Sequence, residues 1–123
     1  MNKYRDKSDF EINKAVAVAL GKVIGIRLDS NIIYLIGGDE LIEFDPCNNP
    51  ADAMPIIIEN KITVAYDRIG NTWCAHAGSV IDDCDWGYKI EPVQYADSNN
   101  YYRAAMEVFL MMKEAENENN NNS

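Results

Sequence analysis

Residues 48–62 read NNPADAMPIIIENKI, a stretch that begins like a helix, ends like a strand and carries a proline where a helix should continue. Asn49 is a good N-cap, and Pro50 occupies the first helical position, where a missing N–H costs no hydrogen bond. Pro55 removes one bond inside the helix, so we expect a kinked or shortened helix with Asn60 as its C-terminal cap. Only burial of apolar side chains offsets that cost, and we expect these to be largely buried: Ile56, Ile57 and Ile58. The stretch is therefore interpreted as a packing element.

Helices are also predicted at both ends of the chain. SDFEINKAVAVALG (8–21) carries a capping box between Ser8 and Glu11, and Gly21 provides a left-handed stop. Its apolar face is predicted from Phe10, Val16, Ala19 and Leu20. In NNYYRAAMEVFLMMKEAE (99–116), Asn99 or Asn100 caps a helix with a broad apolar face: Tyr102, Ala105, Met106, Phe109, Leu110 and Met112.

Between these helices the sequence predicts two hairpins and an irregular segment. β-branched residues on both sides of a DSN turn predict a hairpin of 22–28 with 31–36, and LIEF (41–44) continues as a short strand or a loop. A second hairpin is predicted in 62–78, where period-2 alternation puts Trp73, Ala75 and Ala77 on one face and Cys74 and His76 on the other. The segment 79–97 is the least regular, with a short edge strand over 88–93 that Pro92 limits.

These elements predict an α+β fold. We expect one antiparallel sheet of about four to five strands, covered by the N- and C-terminal helices and a short middle helix in an α/β/α sandwich-like arrangement. A single domain over residues 1–116 and a disordered Asn-rich tail over 117–123 complete the prediction.

The charge of the chain limits the classes of partner. Its 20 acidic and 11 basic side chains give a formal charge of −9, which argues against direct nucleic-acid binding. An acidic surface suits solubility, a basic protein partner or imitation of DNA. The sequence contains no apolar run of membrane-spanning length and no signal-peptide pattern, and three cysteines cannot all pair, so we expect a reduced cytoplasm.

Three stretches together resemble a known family: SDFEINKAVAVALG (8–21), NNPADAMPIIIEN (48–60) and YYRAAMEVFLMMKEAE (101–116). They look like the NinX-type accessory proteins of lambdoid bacteriophages and, more distantly, phage proteins named for an α–β–α "ABA sandwich". Family members usually carry Asn-Pro before the last helix, whereas this chain has Asn without proline. The segments 22–44 and 79–97 match the family least. The resemblance implies a phage-encoded accessory protein of the host cytoplasm, and it implies no catalytic residues.

Residues with chemical potential form no recognised catalytic motif. Cys47, Cys74, His76 and Cys84 could supply four zinc ligands, but their separations do not match paired knuckles. A thiol nucleophile built from a cysteine and His76 has no third orienting group in the sequence. The acidic stretch DDCDW (82–86) lacks the spacing of a calcium loop and is interpreted as a solvated loop. We expect no cofactor, no metal and no catalytic residue, and therefore not an enzyme.

Aromatic and cationic residues remain as candidates for binding a ligand or partner: Arg27, Arg68, Trp73, His76, Trp86, Tyr88 and Arg103. Aromatics anchor protein partners or stack on ligand rings, and converging arginines clamp phosphates. The alternative is that the aromatics cap the core and that the arginines pair with surface acids.

The hypothesis from sequence is a non-enzymatic phage protein that binds and counteracts or sequesters a host factor. Two alternatives stay open. In the first, the chain traps a small nucleotide-like immune signal; in the second, its acidity mimics DNA and inhibits a host nuclease. A homo-oligomer is expected if a sheet edge or an aromatic patch is exposed.

Overall fold

The computed structural model describes the backbone of residues 2–83 and 87–121 and the side chains of residues 2–78 and 94–118. The elements follow in the order α1 (Asp9–Ala19), β1 (Ile24–Arg27), β2 (Ile32–Gly37), β3 (Glu40–Phe44), α2 (Pro50–Glu59), β4 (Thr63–Asp67), β5 (Thr72–Asp83), β6 (Gly87–Ser98) and α3 (Tyr101–Asn121). Among the described helices, none is both long and apolar enough to cross a bilayer.

Side-chain caps start all three helices where the sequence predicts them. Ser8 and Glu11 form the reciprocal capping box of α1. The Asn49 side chain accepts a hydrogen bond from the Ala51 N–H at the start of α2. Asn100 caps α3 by accepting from the N–H groups of Tyr102 and Arg103. The predicted helix starts are therefore confirmed.

Helix α2 continues through Pro55 and ends at Asn60, whose side-chain amide donates to the Ile56 carbonyl at 2.8 Å. Pro55 is exposed, and so is Ala51, whose carbonyl loses its helical partner, which lowers the cost of the proline. Burial of the three isoleucines is only partly as predicted, since Ile58 is 67% exposed. Three consecutive helical residues turn through about 200°, so the third leaves the face that the first two bury.

Helix α3 lies at the centre of the molecule. It contacts β4, β5 and β6 as well as α1 and α2. Every residue from 103 to 110 is consequently buried, including two charged ones. The buried residues of α1 are Ile12, Asn13, Val16 and Ala17, whereas the predicted Ala19 is exposed. The prediction of a disordered tail from residue 117 stays a prediction, and α3 as described extends to Asn121.

In the described residues, six strands form two three-stranded antiparallel sheets rather than the predicted single sheet of about four to five strands. The first sheet has the order β1-β2-β3 and the second the order β4-β5-β6. Each described strand pairs only with the strands next to it in sequence. Helix α2 lies between β3 and β4, and these two strands do not pair, so the two sheets are separate. The predicted hairpins are confirmed, and in both of them an asparagine with positive φ, Asn31 or Asn71, precedes the return strand.

The segment predicted to be irregular contains long strands. β5 and β6 pair from Trp73↔Ser98 to Asp83↔Gly87, with a register shift between Ala77 and Gly78. Pro92 pairs with Gly78 at this irregularity, which is where a sheet tolerates proline. The predicted strand end at residue 93 is therefore wrong, as is the predicted loop at Asp82 and Asp83, which belong to β5.

Candidate interaction site on the second sheet

The second sheet covers α3 with one face and turns the other face away from it. Ala75, Ala77 and Ala96 are buried in the core, so the alternating residues form the opposite surface, here called the outer face. Its described members are Thr63, Ala65, Asp67, Thr72, Cys74, His76, Tyr95 and Asp97. Most of these side chains are short, so the outer face is flat, and its largest members are His76 and Tyr95.

Tyr95 and Cys74 form a hydrogen-bonded pair on this face. The Tyr95 hydroxyl donates to the Cys74 sulfur across an O···S distance of 3.2 Å, and Tyr95 remains 49% exposed. This hydrogen bond, together with partial burial and nearby negative charges, raises the pKa of Tyr95 to about 12. Tyr95 therefore stays protonated near neutral pH and offers an aromatic ring to solvent.

His76 stands opposite Tyr95 on β6 and Thr63 on β4. Its Nε2 atom is shielded from solvent and has no hydrogen-bond partner among the described groups. A shielded polar nitrogen without a partner costs on the order of 1–3 kcal/mol. Within the part of the chain that the structure describes, the hydrogen-bonding capacity of Nε2 is therefore unused.

Two carboxylates give the outer face a negative charge. Asp97 neighbours Cys74 across the strands, and Asp67 lies beside Thr72. None of the eight described members is a lysine or an arginine. Arg5, from outside the face, forms an ion pair with Asp97, with 3.8 Å between the Arg5 Nη1 and the Asp97 Oδ1. Such an exposed pair contributes little to stability.

Trp73 faces the other way, towards α3. Its ring makes edge-to-face contacts with Tyr66 at 4.9 Å and with Tyr101 at 5.2 Å between centroids. Tyr101 continues the series to Tyr102 at 5.1 Å. These contacts are the favoured geometry of aromatic pairs, so Trp73 helps to attach the second sheet to the start of α3.

Arg103 is held inside a hydrogen-bond network. It is 8% exposed, and it donates to Glu107 and Asp9 at 2.7 Å each. Its Nη2 also donates to backbone carbonyls of the N-terminal segment, those of Tyr4 at 2.9 Å and Lys7 at 2.6 Å. Because these donors already have acceptors, Arg103 joins the N-terminal segment to α1 and α3.

The remaining predicted residues do not converge on one site. Arg27 lies on the first sheet near Asp29, at 3.8 Å, and Arg68 is exposed in the β4–β5 turn of the second sheet. Trp86 falls outside the described residues, and so does the side chain of Tyr88, whose backbone belongs to β6. The structure thus places Arg27, Arg68 and Arg103 on three different elements.

The cysteines and His76 do not assemble a reactive centre within the described part of the chain. Cys47 is fully buried, and that burial, with the charge of Asp9, raises its pKa far above the usual value. The Cys74 sulfur accepts a hydrogen bond from the Tyr95 hydroxyl rather than from His76. Across the described residues, no three His, Cys, Asp or Glu side chains form a group that could hold a metal ion. Cys84 lies outside those residues.

Sequence reasoning missed Tyr95 and Asp97 as members of the outer face. The signal was present, since Tyr95 and Asp97 alternate with the small residues Ala96 and Ser98. Ending the strand at Pro92 and Val93 hid this alternation, because the positions after it were assigned to a loop.

The chain was compared with known proteins. A family model described as Bacteriophage P22, NinX matches residues 3–113. This match spans all three helices and both sheets up to the last turns of α3. No curated protein matches the chain.

Proposed function

Because the chain belongs to the family of bacteriophage P22 NinX, we propose that it is a phage accessory protein that works in the host cytoplasm by binding a host protein. The binding surface in this proposal is the outer face of the second sheet. The host protein is a factor that the phage counteracts or sequesters. The chain acts without catalysis in this account.

One observation carries the proposal: the outer face is a flat sheet surface that combines an exposed tyrosine with two carboxylates and contains no described cation. Tyrosine is enriched among the residues that dominate binding energy in protein interfaces. Asp67 and Asp97 complement lysine or arginine on a partner and speed its approach. The partner is therefore a protein with a basic patch.

Two further features favour binding over catalysis. The Cys47 thiol is buried with a raised pKa, which opposes a thiolate nucleophile. Arg103, the most buried of the predicted arginines, already has acceptors for its donors. The nucleotide alternative requires arginines that meet beside an aromatic ring, and DNA mimicry requires rows of carboxylates. No described contact favours either, and both stay predictions.

The test is quantitative affinity capture from infected host cells with two matched variants. Ala65→Arg puts a long cation on the outer face at an exposed position of β4, next to Cys74, whereas Ala19→Arg puts the same side chain at an exposed position on α1. The proposal expects a specific host protein to be captured by the wild type and by Ala19→Arg, and to be lost with Ala65→Arg. Equal capture by both variants would refute the surface. A catalytic turnover of the purified chain that one point substitution abolishes would refute the non-enzymatic function.

A further inference from the structure

The first sheet has apolar residues on both faces, but the core covers only one of them. Ile33 and Phe44 pair across β2 and β3 and are buried in the core. The alternating residues therefore point to the other side, here called the open face. Its members are Val23, Gly25, Arg27, Ile32, Tyr34, Ile36, Leu41 and Glu43. Strands that are apolar on both faces are typical of sheets buried on both sides.

Solvent reaches a row of aliphatic side chains across this face. Val23, just before β1, lies beside Ile36 on β2 and Leu41 on β3, and these side chains are 68%, 42% and 64% exposed. The neighbouring row has Tyr34 at its centre and Gly25 beside it, which leaves a hollow of about 320 Å³ next to Leu41 and Arg27. A contiguous apolar patch of this kind marks an interaction surface more often than an ordinary surface.

The open face carries one charge of each sign, on the two strands that flank β2 and two positions apart along them. Arg27 lies on β1, and Glu43 lies on β3. The face is therefore balanced in charge, whereas the whole chain carries −9 and repels its own copies elsewhere on the surface. A two-fold axis parallel to β2 places β1 of one copy over β3 of another. That rotation brings each arginine towards the opposite glutamate.

The same rotation matches the apolar row with itself. Ile36 meets Ile36 of the second copy, and Val23 meets Leu41 of the second copy. We propose that the chain forms a two-fold symmetric homodimer through the open faces of its first sheets. This inference does not depend on the proposed function, since the outer face belongs to the other sheet.

The size of the contact sets the expected affinity. Three strands spaced about 4.8 Å apart and five residues long at about 3.3 Å each give a footprint of roughly 14 Å by 17 Å. That is smaller than the roughly 800 Å² per partner that a standard interface buries. The dimer is therefore weak and reversible, and it forms only at high protein concentration.

Sedimentation equilibrium of the purified full chain tests the proposal between about 10 µM and about 1 mM. The wild type should pass from monomer to dimer over this range. Ile36→Arg places two cations face to face at the two-fold axis and should raise the Kd at least about tenfold. Ile69→Arg, at a fully exposed position in the β4–β5 turn, is the matched control and should leave the Kd unchanged.

A charge exchange tests the orientation of the two copies and does not depend on the folding of Ile36→Arg. Arg27→Glu and Glu43→Arg should each weaken the dimer, because each places like charges opposite one another. The double variant Arg27→Glu/Glu43→Arg should restore it. A wild type that stays monomeric at the highest concentration overturns the proposal, as does a dimer that Ile69→Arg weakens equally. A double variant that stays as weak as the single ones overturns the proposed two-fold arrangement.

Discussion

Replacing Arg103 by methionine removes the cation at the centre of the network that joins the N-terminal segment, α1 and α3. Glu107 is 2% exposed, and it accepts hydrogen bonds from Arg103 at 2.7 Å and from Asn2 at 2.6 Å. Without Arg103, the Glu107 carboxylate remains buried without its counter-charge. The carbonyl oxygens of Tyr4 and Lys7 lose a donor as well.

The expected loss is large for a domain of this size. Breaking a buried ion pair by removing one partner costs about 3–5 kcal/mol. Typical total stability is about 5–15 kcal/mol, so the variant loses a large share of it. With a urea m-value of about 2 kcal/mol/M, the midpoint should fall by about 2 M.

Urea unfolding followed by circular dichroism measures this change, with two further variants as controls. Arg5→Met removes an exposed cation at 3.8 Å from Asp97 and should cost less than about 1 kcal/mol. Arg103→Met/Glu107→Met removes both charges and should recover much of the loss, since an apolar pair needs no counter-charge. If Arg103→Met costs no more than Arg5→Met, or if the double variant is no more stable than Arg103→Met, the assigned role of the buried pair is wrong.

Three further predictions follow from the thiols and the pKa values. Cys47 should resist alkylation in the folded chain and react only after denaturation, because its thiol is buried and has a raised pKa. Mass spectrometry detects the label, and labelling of Cys47 under native conditions would contradict its burial. Cys74→Ala removes the main cause of the raised pKa of Tyr95, so this pKa should fall from about 12 towards 10. The pKa is followed by ¹³C NMR of labelled tyrosine, and an unchanged value would contradict the hydrogen bond between Tyr95 and Cys74. Burial opposes ionisation of Asp9, but hydrogen bonds from Arg103 and Asn48 outweigh it and lower its pKa. The stability that Asp9 contributes is therefore present above its unfolded pKa of about 4 and lost as pH falls through the lower folded value. Stability measured by urea unfolding should accordingly decrease less on acidification in Asp9→Asn than in the wild type, and an equal decrease would contradict the shift.

Short sequence patterns correctly predicted the helix caps and the hairpin turns. The caps at Ser8, Asn49 and Asn100 and the hairpin turns at Asn31 and Asn71 depend on residues within a few positions of one another. The pairing partners of whole hairpins depend on distant contacts, so the sequence did not reveal that β3 and β4 belong to different sheets.

The charged residues of α3 illustrate the same limit. Arg103 and Glu107 are polar, and a single-face interpretation of the helix puts them in solvent. The helix is instead surrounded by the second sheet, α1 and α2, so its polar side also needs partners inside the protein. Tyr95 was missed for a different reason, since the strand that carries it continues past a proline at a sheet irregularity.

Site-specific photo-cross-linking during infection tests most directly whether the chain acts by binding through the outer face. A photoreactive amino acid is placed at Ala65 on the outer face or at the exposed Ala19 on α1, and adducts are identified after irradiation. The account predicts a discrete adduct with one host protein from position 65, and none with that protein from position 19. Equal adducts from both positions, or an adduct from position 19 alone, would contradict it.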